Sequence, residues 1–436
     1  MNLAPIDHKR RLERLMEELG GGAFVALSQP EALRNANVEH IYRQESFLHY
    51  LIGFDEPHAA LVVLPFKPVG QRVHLFLRDK SPERELWEGR RLGLAEAKAT
   101  LPIDEAHDVA HLWDRLPGLL GEAERIHYSF GICEHNDRHL IQALAAHKAA
   151  WGRRKSAAKL PVYDAAAVAG RLRLQKDAAE IARLRGAAAV TRATFEKIYQ
   201  TTRPGMSERD VHGLILGEFL RGGGEMEAYG SIVAGGANAC VLHYRGNDQK
   251  LVDGELLLVD AGAQYQYYAS DVTRTFPIGK RFTPEQKALY EVVLAAQKAA
   301  IAVAKPGSSL NAVHDEATLA LIEGLVAIGL LRGSKDEILE SKSYRRFYPH
   351  NTSHWIGLDV HDVGLYHDQG KPVALVPGMY FSVEPGLYVD PTDTLAPAAF
   401  RGIGIRIEDD VLVTETGNEV LTGGIAKEVA QLENRY

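Results

Sequence analysis

Cysteine is nearly absent from this sequence. Of 436 residues only Cys133 and Cys240 are cysteines, and they lack CxxC spacing. Both are expected to be buried thiols in a reducing cytoplasm. An excess of basic charge is missing too: 50 Lys and Arg stand against 57 Asp and Glu, for a net charge of −7. A nucleic-acid partner is therefore not expected, because nothing neutralises phosphates. The clusters HKRR (8–11) and GRRK (152–155) are short and read as a solvated helix face and a linker. No apolar run reaches the roughly 18 residues of a membrane span. The opening stretch, MNLAPIDHKRRLERLMEELG, carries charge where a secretory signal is apolar. A cytoplasmic protein with no membrane partner is the expectation. No GxGxxG or GxxxxGK[ST] loop follows a strand pattern. GxSxG is also missing, and Ser353 beside His354 lacks the setting of a nucleophilic serine.

What is present is the composition of a globular protein, 46% hydrophobic and 25% charged, long enough for two domains. Residues 7–19 predict an amphipathic helix: Asp7 caps it, Leu12, Leu15, Met16 and Leu19 form its stripe, and Gly20 ends it. The apolar runs 23–28, 59–65, 73–77 and 125–130 alternate with helical stretches at 81–92 and 134–149. That alternation predicts an α/β domain with a partly parallel sheet. Ala- and Lys-rich sequence at 152–172, broken by Pro161, reads as a connection. Helices are predicted at 176–199, after Ser207, and from Thr283, where Thr283, Pro284 and Gln286 make a capping-box start.

One internal echo stands out. RPGMSERDVH (203–212) and KPGSSLNAVH (305–314) share Pro-Gly, then Ser, then Val-His. Two related halves, each of helices followed by strands, are one reading, with a site between them; two chance helix entries are the other.

Five residues after the first copy carry the chemistry: Asp260, Asp271, His354, Glu384 and Glu408. Each sits in a β-like run rich in glycine and apolar residues. Four carboxylates carry −4, which two divalent ions balance; without metal they would raise one another's pKa values. Oxygen ligands with one imidazole suit Mn, Fe or Co better than structural zinc. Asp260 and Asp271 are equidistant from the 265/266 midpoint, so a tight hairpin would place them opposite one another, and a bulge or longer loop would alter that register. Strand parity puts Ile403, Ile405 and Ile407 on one face and Arg406 with Glu408 on the other. Likewise Tyr380, Ser382 and Glu384 share a face, and Pro385 keeps Glu384 extended. His243, His350 and His361 are candidates for hydrogen bonding and proton transfer; His367 is read as structural. The set fits two-metal hydrolysis, with a bridging hydroxide as nucleophile.

The motifs VDAG, DVTRTF, SHWIGLDVHDVG, EPGLY and GIRIEDD resemble those of the pita-bread metallopeptidases, most closely the Xaa-Pro aminopeptidases (aminopeptidase P). The resemblance implies a non-catalytic α/β domain over 1–172 and a catalytic pita-bread (creatinase/aminopeptidase) domain over 173–436. It implies removal of an N-terminal residue from peptides with proline at position two. Two divalent metal ions are implied, manganese by preference, with Co, Fe or Zn as alternatives. Asp260, Asp271, His354, Glu384 and Glu408 match the metal ligands, with Asp271 and Glu408 bridging. His243 and His361 match histidines that contact substrate and the tetrahedral intermediate. His350 matches a proline-pocket position, and Tyr388 and Arg406 match residues lining the site; Glu384 and Arg406 are counted with the three histidines as catalytic. A homodimer or homotetramer is implied, in which Trp87 could reach a neighbouring subunit's site. Methionine aminopeptidases lack the large N-terminal domain, and prolidases have longer intervals between the last ligands. Asn351 departs from the usual small or apolar residue.

Overall fold

The computed structural model describes residues 3–151 and 160–435, so the basic cluster at 152–155 lies outside the described residues. The chain forms two compact units, Pro5–Leu172 and Arg173 onward, the second also taking in Ala4.

The first unit is built on a six-stranded sheet in the order 105–108, 73–77, 60–63, 23–27, 126–127, 162–163. Ala23–Leu27 runs antiparallel to Ala60–Val63 and parallel to Ile126–His127, so the sheet is mixed. The helix His8–Leu19 starts where Asp7 accepts from the Arg10 amide (3.0 Å) and ends at Gly20, whose φ is +53°. Its stripe Leu12, Leu15 and Leu19 is buried. The basic cluster on that helix is only partly solvated. Arg11 is 4% exposed, lies 3.9 Å over the Tyr50 ring and donates to the Tyr50 carbonyl (3.0 Å), so its charge is absorbed by an aromatic face and a backbone dipole. The connection before residue 173 is also more ordered than its sequence predicts. Val162–Tyr163 is an edge strand and Ala165–Arg173 a helix, because Ala165, Val168, Ala169 and Leu172 make a buried helical stripe. Cys133 and Cys240 are free and half-buried, not fully buried; Cys240 donates weakly to the Val389 carbonyl (3.4 Å) and burial pushes its thiol up to about 12.

The second unit repeats one plan. Helices Ala178–Thr201 and Glu208–Arg221 precede antiparallel arms spanning 256–277; helices Pro284–Val303 and Leu310–Ala327 precede arms spanning 380–413. The sequence echo marks the same turn in both halves. Gly205 and Gly307 have φ of +87° and +84°, a conformation that glycine adopts without a Cβ penalty. Ser207 and Ser309 then cap the next helix, accepting from Asp210 N (3.1 Å) and Ala312 N (3.2 Å). Apolar helix faces, including Phe195, Ile215, Phe219 and Leu289, pack on the strand residues Leu257, Val259 and Phe276.

Candidate metal centre

Each pair of arms is interrupted at its middle, and the carboxylates sit at the interruptions. In the first, Leu256–Asp260 pairs with Thr273–Pro277 so that Asp260 faces Thr273. The same register resumes as Gln264 opposite Ala269 and Tyr265 opposite Tyr268. Asp260 and Asp271 are therefore not directly opposed as their spacing predicts. The turn is centred on Gln266–Tyr267, both at positive φ, one position later than the carboxylate midpoint. Asp271 precedes Thr273 by two residues and so reaches the same side diagonally. Gly262 lets the arms close here, since a Cβ on it would meet the Ser270 carbonyl at 1.8 Å. In the second pair, Val383 faces Asp409 and Gly386 faces Arg406. That register brings Glu384 opposite Glu408.

The side chains converge. Tyr229 O–H lies 2.5 Å from both Asp260 Oδ1 and Asp271 Oδ1. Arg406 donates from Nη2 to Asp260 Oδ2 (2.6 Å), from Nε to Thr273 Oγ1 (3.1 Å) and from Nη1 to Tyr388 O–H (2.9 Å). Thr273 O–H in turn donates to Glu408 Oε2 (2.7 Å). His354 Nε2 is 3.3 Å from Asp271 Oδ2 and 3.5 Å from Glu384 Oε1. Asp271, His354 and Glu408 offer donor atoms within 4.8 Å of one another. Asp260, held by Tyr229 and Arg406, and Glu384 flank that triad. As parity predicts, Ile405 and Ile407 are buried on the face opposite Arg406 and Glu408.

Burial and mutual repulsion shape the electrostatics. Burial raises the pKa of Asp260, Glu384 (to about 7) and Glu408, and neighbouring carboxylates push further up; Arg406 offsets part of this. Burial alone would lower His354, but its bond to Asp271 and the charge of Glu384 hold it up at about 9. Four ionised carboxylates against one guanidinium and one imidazole would leave a net negative charge on buried groups. Divalent cations fit this donor set, and a single imidazole among oxygens suits Mn, Fe or Co.

These groups form one wall of a cavity of about 440 Å³. His243, His350 and His361 line it, as do Tyr229, Arg245 and Tyr366. The His361 ring stands edge-on to His354, centroids 4.4 Å apart. His350 Nε2 is 2.9 Å from Tyr388 O–H and Nδ1 is 2.7 Å from the Asn351 carbonyl. Burial lowers His350 to about 4, so its ring is neutral near pH 7, and burial also lowers His361. Tyr388, expected on the cavity wall, stands behind it at 5% exposure, its hydroxyl shared by Arg406 and His350. Trp87 lies in the other unit and is 83% exposed.

Several contributors escaped sequence reasoning. Asp410 Oδ2 accepts from the Asp271 amide (3.0 Å). Arg274 donates to the Glu408 carbonyl (2.5 Å) and to Asp409 (2.7 Å). Two further acids after Glu408, inside an apolar strand, were a usable signal for Asp409 and Asp410. Tyr229 carried none.

Known proteins share this fold. The model of metallopeptidase family M24 matches residues 182–415, and that of the aminopeptidase P N-terminal domain matches 8–128. The chain is 39% identical to a Xaa-Pro aminopeptidase of Haemophilus influenzae over 426 residues, covering 98% of this chain and 96% of the relative. The solved structure of Pseudomonas aeruginosa aminopeptidase PepP superposes with a TM-score of 0.95 at 40% identity, covering 100% of this chain and 98% of that one. Zinc-substituted Escherichia coli aminopeptidase P in complex with product gives a TM-score of 0.92 at 38% identity, covering 98% and 97%.

Proposed function

Because the chain belongs to metallopeptidase family M24 and is a peptidase of the Xaa-Pro aminopeptidase class, we propose that its cavity releases the first residue of peptides whose second residue is proline. The observation that carries this reading is the convergence of Asp271, His354 and Glu408 on one point in a cavity walled by His243, His350 and His361. Asp260, Asp271, His354, Glu384 and Glu408 would hold two divalent ions, manganese by preference, which would supply a bridging hydroxide and Lewis acidity at the scissile carbonyl.

The remaining roles fall to the chain itself. His243 and His361 are placed to donate to the carbonyl oxygen as it becomes tetrahedral. Glu384, beside His354, carries the proton that the departing proline nitrogen needs. His350 and Arg406 form the wall against the proline ring, and Tyr388 holds both. We assign catalysis to residues 173–436 and read 1–172 as non-catalytic.

A cytoplasmic homodimer or homotetramer is part of the proposal. Among the described residues no helix is long and apolar enough to cross a membrane. The exposed Leu86 and Trp87, on the short helix Pro82–Glu88, support self-association. The deciding assay compares Ala-Pro-Ala with Ala-Pro on the manganese-loaded protein. Cleavage of the tripeptide supports the aminopeptidase. Cleavage of the dipeptide alone points to a prolidase, and cleavage of neither rejects both.

A further inference from the structure

We infer that Arg245 is a substrate subsite: it binds the carboxylate of the residue after proline, resting on the aminopeptidase reading above. Two permanent cations line the cavity, Arg245 and Arg406. Arg406 is committed to Asp260, Thr273 and Tyr388. Arg245 is exposed and has no ion pair or hydrogen bond of its side chain among the described residues. Its Nη1 lies over Gly230, where a Cβ would sit 3.4 Å away. Gly230 adjoins Tyr229, whose hydroxyl joins Asp260 and Asp271. The guanidinium therefore lines the same cavity as the metal-binding carboxylates, and no ion pair joins it to them.

The backbone under Arg245 is fixed. Tyr244 O–H donates to Glu208 Oε2 (2.9 Å). Asn247, buried and at φ +45°, accepts from Val233 N (2.9 Å) and donates to the Ser231 carbonyl (2.8 Å). Val233 lies on the strand Ile232–Gly235, where Ile232 faces Asp260. The segment presenting His243 and Arg245 is thus anchored to the strand beside a ligand-bearing one. Such anchoring lowers the ordering cost of binding through Arg245.

Charge gives this position its use. The cavity has a carboxylate-rich wall, and its other permanent cation, Arg406, is already paired with Asp260. A short free peptide is a zwitterion, with its amine and its carboxylate at opposite ends. With the scissile bond over the carboxylates, the third residue's carboxylate lies about two residues, roughly 7 Å, further out. A guanidinium presents two parallel N–H groups to a carboxylate, which a lone ammonium does not. Exposure keeps the pair partly screened, so it discriminates modestly and weakens in salt.

The test is kcat/KM for Ala-Pro-Ala and its C-terminal amide on the manganese-loaded wild type, Arg245→Gln and Arg245→Lys. The wild type should prefer the acid about fivefold, the scale of a partly exposed ion pair. That ratio should fall to about one in Arg245→Gln, survive in part in Arg245→Lys, and shrink as salt is raised. Calorimetric binding of Pro-Ala against Pro-Ala amide should show the same order without turnover. Equal rates for acid and amide in the wild type, or a preference that survives Arg245→Gln, overturns the subsite and leaves the aminopeptidase standing. Failure of the wild type to cleave either peptide overturns the reading beneath it as well.

Discussion

Arg274 and Asp409 form an ion pair 2.7 Å long in which both side chains are fully buried. Arg274 also donates to the carbonyls of Thr273 (3.0 Å), Glu408 (2.5 Å) and Ile425 (3.2 Å). It therefore ties the strand after Asp271 to the strand carrying Glu408, and both to the C-terminal segment. Lys427 adds a second cation, 2.6 Å from Asp409 Oδ2. Removing Arg274 leaves the buried Asp409 with Lys427 as its one cation, so the cost falls below the roughly 3–5 kcal/mol of a fully unpaired buried charge. Arg274→Met should lower Tm correspondingly and weaken metal retention; a Tm within a degree or two of wild type would contradict this.

The same pair sets a pH dependence. Despite burial, Arg274 and Lys427 hold Asp409 well below the usual carboxylate range. A depressed folded-state pKa adds stability that is fully present above the unfolded value, about pH 4, and is lost as pH falls through the folded one. Thermal unfolding between neutral pH and about pH 3 should show a drop below pH 4 that is shallower in Asp409→Asn. An unchanged slope in that variant would assign the acid sensitivity to other groups.

Asp260→Ala, Asp271→Ala and Glu408→Ala should each abolish turnover and reduce bound metal, since each removes a donor from the site. Elemental analysis beside the peptide assay reads both. Two full equivalents of metal and normal turnover in Asp271→Ala would end the dinuclear proposal.

Strand parity made much of this site legible before any coordinates. Ile405 and Ile407 are core residues, so Arg406 and Glu408 had to face the other way, and they do. Capping residues fixed helix starts well: Asp7, Ser207 and Thr283 each cap as their spacing predicts. Register was not legible. The turn at Gln266–Tyr267 uses two non-glycine residues at positive φ, and nothing in their identity announces that. Tyr229 joins the carboxylates from a separate segment, and Arg11 is held by Tyr50 across 39 residues; local pattern carries no trace of such contacts.

His361→Ala should keep its metal and lose about 10²–10⁴-fold in kcat, the usual worth of an acid–base or oxyanion contact. The ring meets His354 edge-on but is absent from the converging triad. If metal content collapses together with activity, His361 is a ligand.

The loop bearing His361 is itself anchored. Buried Asp362 bonds Arg173, which also reaches Asp359 (2.8 Å), and Lys176 Nζ is 3.5 Å from Asp362. Asp362→Asn would leave two buried cations under-compensated. It should lower kcat more than it changes KM, with metal content intact, because His361 loses its fixed position. A KM effect alone would make Asp362 a binding residue.

Proline selectivity is the sharpest consequence of the proposed site. An Xaa-Pro bond is a tertiary amide, so it offers no N–H to the enzyme. Preference for it must come from a wall that fits the ring and from a group that protonates the leaving nitrogen. In the proposed site His350 and Arg406 are that wall, and one hydroxyl, Tyr388 O–H, lies 2.9 Å from each. Pocket discrimination of about 1–3 kcal/mol corresponds to at least about tenfold. Ala-Pro-Ala should therefore exceed Ala-Ala-Ala about tenfold or more in kcat/KM, and Tyr388→Phe, which removes the hydroxyl joining the two, should narrow the gap. Equal kcat/KM for the two peptides in the wild type would remove the proline preference and leave a general metal-dependent aminopeptidase.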